Sequence, residues 1–314
     1  MTHAGAETRG NGETRGDAEG PGDRPTGSAR PEKHRPPGHD EPEPGRAGRA
    51  RNRRGGLVLV DKERGPSSFA VVRRVRDRFG LKAGHAGTLD PLATGLLVCL
   101  VGRSTRLARY LVGLDKRYET TIRLGVRTDT GDAEGEETER TELPGRVEID
   151  ALRGEVELPV PAASAVKIDG ERAYRLHRRG VAVELPLRRS TIHGLEIHRL
   201  DPPELELALH VSSGTYVRSI ADALGGHCLA LRRTAVGPFR VEDADEERLL
   251  PPLAAVAQLP VRELDAREAR LVRDGRAVPL EPGREGPVAL VADGELVAVA
   301  RAADGVARPE TVLG

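Results

Sequence analysis

Tryptophan is absent from this chain of 314 residues, methionine occurs once, and there are only three phenylalanines and four tyrosines. Leucine, valine and alanine must therefore supply the core. The two cysteines, Cys99 and Cys228, stand far apart with no Cys-x-x-Cys pair, which argues against a disulfide framework and a cysteine-built zinc site. No apolar run approaches the roughly 18 residues of a membrane span, and the N-terminus lacks the apolar stretch of a secretion signal. The expected compartment is the cytoplasm. An excess of one charge is missing too: 49 Lys and Arg face 49 Asp and Glu. Dividing the chain uncovers no strongly basic segment, because residues 55–260 carry 30 of each sign and residues 261–314 carry 8 basic against 10 acidic. A nucleic-acid partner would thus have to be met by a local patch. Arg73, Arg74, Arg76 and Arg78 form one candidate, and Arg172, Arg175, Arg178 and Arg179 another. Each run, taken alone, reads first as a solvated helix face.

Residues 1–54 contain no Val, Leu, Ile, Phe or Tyr. Such a segment cannot offset its ordering entropy by apolar burial, so a disordered leader is expected. Its last part, from Arg46 to Arg54, reads as a solvated linker before it reads as a tail for a phosphate backbone. From Leu57 the pattern turns globular. A strand is expected over 57–60, then a helix from Ser67 or Ser68 to Phe79 with Phe69, Val72, Val75 and Phe79 on its apolar face. A buried strand over 96–101, a short helix over 104–111, and alternating strands over 118–124, 191–199 and 205–211 follow. Residues 216–224 read as a helix ended by Gly225-Gly226, and the acid-rich 129–139 as a polar loop. This mixture indicates an α+β catalytic core around a sheet. A boundary near Pro251–Pro260 precedes 269–278 and the apolar runs 288–291 and 296–300, which suggest a small β-rich module. The expected division is a leader over 1–54, a catalytic domain over 55–258 and a C-terminal domain over 259–314.

The segment richest in chemical meaning is His85-Ala-Gly-Thr-Leu-Asp-Pro-Leu-Ala-Thr-Gly-Leu-Leu97. Asp90 is its only formally charged side chain, and no other lies between Gly84 and Gly102. Pro91 fixes φ, Gly87 and Gly95 allow positive φ, and Thr88 and Asp90 can turn their side chains back onto backbone amides. A rigid polar loop running into a buried strand presents one carboxylate over a cleft. The bland alternative is an Asx turn that caps a tight loop.

This segment resembles the catalytic loop of the bacterial tRNA pseudouridine synthase B family. The likeness extends to Gly56–Lys62 with Gly65-Pro-Ser-Ser68, Asp115-Lys-Arg-Tyr-Glu119, Arg127–Gly135, Ser164–Gly170 with Ala173-Tyr174, Gly214-Thr-Tyr-Val-Arg-Ser-Ile220 and Leu231–Phe239. The resemblance implies a pseudouridine-synthase fold, a mixed and antiparallel sheet with flanking helices, followed by a PUA-like RNA-binding domain. It implies an isomerase that turns uridine-55 of the tRNA T-loop into pseudouridine, breaking the bond from ribose C1′ to N1 and joining C1′ to C5. Neither cofactor nor metal is implied. The implied partner is the tRNA T-stem-loop, bound by a monomer with no obligatory protein partner.

By the same resemblance, Asp90 is the nucleophile toward sugar or base. Tyr118 lies against the uracil face, Tyr216 stands near the base, and Arg218 pairs with Asp90 and orients it. Read as extended backbone, the two-residue spacing puts Tyr216 and Arg218 on one face. Leu231 forms an apolar wall, and His85 presses into the T-loop where the flipped uridine leaves a gap. Two departures stand out. Only Gly-Gly-His-Cys-Leu-Ala separates Leu224 from Leu231, where the family commonly has a longer glycine-rich connection. Ala162-Ala163 also replaces an aromatic ahead of the RNA-clamping insertion at Ser164. A guide-RNA-dependent synthase and a non-catalytic RNA-binding protein are the alternatives; the intact Asp90 and Arg218 argue against the second.

Overall fold

A computed structural model of the protein describes residues 55–313 except Ala182 and Pro282. The leader expected over 1–54 lies outside the described residues. The fold begins with β1 (Gly55–Lys62), α1 (Ser68–Phe79), β2 (Ala83–His85) and β3 (Thr94–Gly102). A 3-10 turn over Arg103–Leu107 leads to α2 (Ala108–Val112) and β4 (Lys116–Leu124), then to the hairpin of β5 (Val126–Thr128) and β6 (Glu137–Arg140). Helix α3 (Arg146–Asp150), β7 (Gly154–Pro159), the short pair β8 (Lys167–Ile168) and β9 (Glu171–Arg172), and α4 (Ala173–Arg178) come next. The core is completed by β10 (Leu187–Asp201), β11 (Glu204–Val211), α5 (Val217–Ala223), β12 (Gly226–Val236), β13 (Phe239–Arg240) and β14 (Asp245–Leu250). A second sheet follows, made of β15 (Val261–Glu263), β16 (Val278–Pro279), β17 (Gly286–Ala292), β18 (Glu295–Ala303) and β19 (Val306–Val312), with α6 (Ala266–Arg273) beside it. The architecture is thus mixed α+β with a C-terminal β unit.

Along the large sheet the strand order is β14-β1-β3-β12-β4-β11-β10-β7, with β2 on β3 and β13 on β12. All of these pairings are antiparallel except the contact of β3 with β12, where Thr94 and Gly95 lie beside Arg232 and Arg233. That central contact requires glycine. Gly95 has φ +98°, and a Cβ there would stand 2.2 Å from the Arg233 carbonyl oxygen, so any side chain would drive the strands apart.

The run Leu96–Val101 is continuously apolar because both of its faces are covered. Leu97, Cys99 and Val101 join Val58, Val60 and helix α1 in one apolar cluster. Leu96, Val98 and Leu100 join Leu57 and Leu59 in another, which also takes in Val291, Val299 and Leu313. The C-terminal sheet therefore covers one side of the β1–β3 pair, and its own opposite layer closes over Ala269 and Val272 of α6.

Several local expectations change. Ser67 caps α1, its hydroxyl accepting from Ala70 N at 3.2 Å. That frame buries Val71, Val72 and Val75 and leaves Phe69 67% exposed, so Phe69 is not on the core face. The 129–139 loop is the tip of the β5–β6 hairpin and its first β6 residues. The stretch 269–278 is chiefly helix and turn: a capping box between Asp265 and Glu268 starts α6 there, and the charges within Arg267–Arg276 occupy its solvent side.

Candidate active site

The Asp90 loop joins β2 to β3 and is anchored from three directions. The Ser68 hydroxyl accepts from Leu89 N and donates to Leu89 O, both at 2.8 Å. Arg233, 2% exposed, donates to Gly87 O at 3.0 Å, Thr88 O at 3.3 Å and Leu96 O at 2.8 Å. The fully buried Lys62 donates to Pro91 O at 3.3 Å and Glu63 O at 2.8 Å. Burial lowers the Lys62 pKa, while the Asp90 carboxylate works against that shift and Arg233 adds to it. Leu89 and Leu92, each 4% exposed, plug into the core on either side of Asp90. A turn closed by Ala93 N donating to Asp90 O at 3.1 Å fixes the carboxylate's direction.

The carboxylate does not fold back onto the loop. Among the described residues Asp90 accepts from no backbone amide, and Thr88 is exposed, so the Asx-turn reading fails. Instead Asp90 Oδ2 lies 2.9 Å from Arg218 Nη2. Arg218 is 3% exposed and donates to Thr130 O at 2.6 Å and Ala163 O at 3.0 Å. Its Nη1 stands 3.6 Å from Asp132 Oδ2. Asp132 is itself held, its Oδ1 accepting from Thr130 Oγ1 at 2.7 Å and Glu134 N at 3.1 Å. One guanidinium thus joins the catalytic-loop candidate, the β5–β6 hairpin and the segment after β7. Charge-assisted bonds of this kind are short and directional, so they hold a carboxylate in place.

Tyr216 and Arg218 reach the same cleft, but not as neighbours on a strand. Tyr216 is the last extended residue, with φ −97° and ψ 115°, and Arg218 sits in the first turn of α5. The cleft has a volume of about 320 Å³, and Asp90, Tyr118, Tyr216, Arg218 and Leu231 all line it. Tyr118 projects from β4 with 9% exposure and Leu231 from β12 with 7%. The short connection after Leu224 is strand rather than loop: β12 starts at Gly226, and its register shifts between Cys228 and Ala230. His85 is not among the lining residues. It ends β2, its Nδ1 accepts from Gly87 N at 3.3 Å, and burial, assisted by Arg233, lowers its pKa.

Sequence reasoning did not single out Lys62, Lys116, Asp132 or Arg233. Lys116 is 6% exposed and donates to Val112 O at 2.6 Å, Leu114 O at 2.5 Å and Ser213 Oγ at 3.2 Å. Burial, aided by Arg233 and opposed by Asp115, brings its pKa down to about 8. The only available signal was a lysine at each end of an apolar or alternating strand pattern. Cys99 and Cys228 are buried, which pushes both thiols up to about 12. Among the described residues no group of three or more His, Cys, Asp or Glu is arranged to hold a metal ion.

The two arginine runs differ. In α1, Arg74 pairs with Glu246, Arg76 with Asp77 and Arg78 with Glu247, so the first patch is largely neutralised. In the second, Arg175 and Arg178 lie over the Tyr174 ring at 5.9 and 5.6 Å, while Arg179 pairs with Glu171. His177 Nε2 lies 3.2 Å from Asp129 Oδ2, tying α4 to the acidic hairpin.

The sequence profile of the TruB family pseudouridylate synthase (N terminal domain) matches residues 73–217, and that of tRNA Pseudouridine synthase II, C terminal, matches residues 259–314. The chain is 45% identical over 288 residues to tRNA pseudouridine synthase B of Thermobifida fusca (strain YX), covering 82% of this chain and 98% of the relative. It is 42% identical over 286 residues to tRNA pseudouridine synthase B of Mycobacterium sp. (strain KMS), covering 82% and 95%. Among solved structures it is similar to the "Crystal Structure of a Cbf5-Nop10-Gar1 Complex", with 24% identity, a TM-score of 0.63, and coverage of 85% of this chain and 87% of that one. At that identity the likeness concerns the fold.

Proposed function

This chain belongs to the TruB family of tRNA pseudouridine synthases, and from that premise we propose that it isomerises the T-loop uridine of tRNA with Asp90 as the attacking carboxylate. The observation that carries this reading is the 2.9 Å pair of Asp90 with Arg218 at a cleft lined by Tyr118, Tyr216 and Leu231 among others. The target uridine leaves its stack and enters the cleft, and Asp90 attacks ribose C1′ or the base. The bond from C1′ to N1 breaks, the uracil turns and C1′ joins C5. The bond that Asp90 formed is released to return the free carboxylate, the C5 proton leaves and N1 ends protonated. Atoms balance without oxidant or transferred group. Tyr118 and Leu231 supply flat and apolar walls for the turning base, Tyr216 completes the enclosure, and Arg218 keeps the Asp90 oxygen aimed.

His85, one strand end away from the cleft, fits a role against the RNA rather than against the reacting base. Arg175, Arg178 and the unit over residues 259–314 would add affinity for the folded stem-loop, leaving the chemistry to residues 55–258. Charge reversal at Arg175 and Arg178 should accordingly weaken binding while the single-turnover rate at saturating RNA holds. The direct test is to incubate the purified protein alone with a T-arm transcript, map pseudouridine and follow tritium released from uracil C5. Product at the T-loop uridine supports the reading, including action without a protein partner. Product only after guide RNA and accessory proteins are added overturns that part of it, and binding without product overturns the catalytic reading.

A further inference from the structure

Four cationic side chains line the Asp90 cleft: Lys116, Arg188, Arg218 and Arg233. Three are committed to the protein. Lys116 donates to two carbonyls and a hydroxyl, Arg218 holds Asp90 and two carbonyls, and Arg233 holds three carbonyls of the catalytic loop and β3. Arg188 differs. It is exposed, and among the described residues it has neither an ion pair nor a side-chain hydrogen bond. Its neighbour Arg189 turns to the other side of β10 and pairs with Glu157 at 3.4 Å.

Arg188 nevertheless has a defined seat. Its guanidinium lies over Gly214, where a Cβ would stand 2.2 Å from Nη2 and 2.6 Å from Cζ. Gly214 has φ +82° and precedes Thr215 and Tyr216, so the missing side chain leaves room for the guanidinium beside the loop that carries Tyr216. The same cleft is lined by Ser164, a buried residue whose hydroxyl has no partner in the protein. This side of the cleft therefore carries polar groups unsatisfied by the protein itself. An arginine fork with all its donors available is matched in shape and charge to a phosphodiester.

We propose that Arg188 binds a phosphate flanking the flipped nucleotide, and so positions its ribose over Asp90. The inference rests on the proposed reaction and adds a substrate contact to it. Arg188 touches the substrate backbone and not the bond that breaks. A phosphate held near the target fixes where C1′ comes to rest, and small misplacements of a reacting centre are costly in rate.

The test uses the full-length protein and three T-arm RNAs, one unmodified, one with a neutral methylphosphonate at the phosphate 5′ of the target uridine and one with it at the phosphate 3′ of that uridine. Arg188→Ala should reduce the single-turnover efficiency on unmodified RNA about tenfold to a hundredfold, the range of a lost charge-assisted bond. Arg188→Lys should restore part of it, since a lysine keeps the charge but not the fork. At one of the two positions the methylphosphonate should slow the wild-type protein by a similar factor and leave Arg188→Ala no slower than before. Additive losses at both positions would overturn the proposal, as would an Arg188→Ala protein with wild-type efficiency. Thermal unfolding of the variant at the wild-type temperature separates loss of contact from loss of fold. If the wild-type protein makes no pseudouridine at all, it is the reaction that fails and not the assignment of Arg188.

Discussion

The sheet that carries Asp90 and the five-stranded sheet at the C-terminus are both well filled, yet they treat charge in opposite ways. Around the first, Lys62, Lys116, Asp132, Arg218 and Arg233 are all buried. From residue 259 onward, Thr311 is the single buried polar side chain among the described residues, and the interior is valine, alanine and leucine. Removing ions from water is expensive and is offset only by close partners. The C-terminal sheet shows that this sequence can close a core without that expense. Around the first sheet the buried cations bind carbonyls of the Asp90 loop, the turn before β4 and the segment after β7. They constrain one carboxylate's surroundings, and the difference between the sheets falls at the site proposed for the chemistry.

The sharpest test of this contrast is Asp90→Asn, which keeps size while removing the proposed nucleophile. Tritium release from uracil C5 should become undetectable, with RNA affinity by filter binding changed less than about tenfold, or roughly 1.4 kcal/mol. Appreciable turnover by the pure variant would remove the chemical meaning of the buried charges. Arg218→Ala comes next. It strands the buried Asp132 and unpairs Asp90, so turnover should fall severely and urea unfolding should show a loss of about 3 kcal/mol. A variant as stable as the wild type would mean that these charges are indifferent to the fold.

Lys116 allows a subtler measurement. Its folded-state pKa is about 8 against an ordinary 10.5, so between those values the unfolded chain retains a proton that the folded chain has released. Unfolding free energy should therefore rise with pH across that window, the burial penalty being fully present below it. In Lys116→Met this contribution to the slope should vanish, whatever the variant's absolute stability; equal slopes would argue against a burdened lysine. The smallest effect belongs to the other sheet. Asp265→Ala removes the α6 cap and should cost about 1 kcal/mol, with the single-turnover rate at saturating RNA unchanged. A falling rate would show that the C-terminal unit shapes the active site.

Much of the contrast is legible in the amino-acid sequence alone. The lone acid between Gly84 and Gly102, the turn residues around it and the apolar run after it are local features, and local chemistry is what a sequence states directly. The ordered family motifs, the α+β alternation and the β-rich end were readable for the same reason. What tertiary structure alone decided is which residues meet. Arg233 donates to the carbonyl of Leu96, 137 positions earlier, because β12 lies parallel to β3 in the sheet, and no periodicity announces that adjacency. Asp132 was one of seven acids between Asp129 and Glu142, and only the packing of the hairpin against α5 set it apart. Phe69 looked like core until the register of α1 turned it outward, and most of the first arginine run proved to be paired with acids. Propensity and pattern act over a few residues. Burial and ion pairing depend on distant strands arriving side by side.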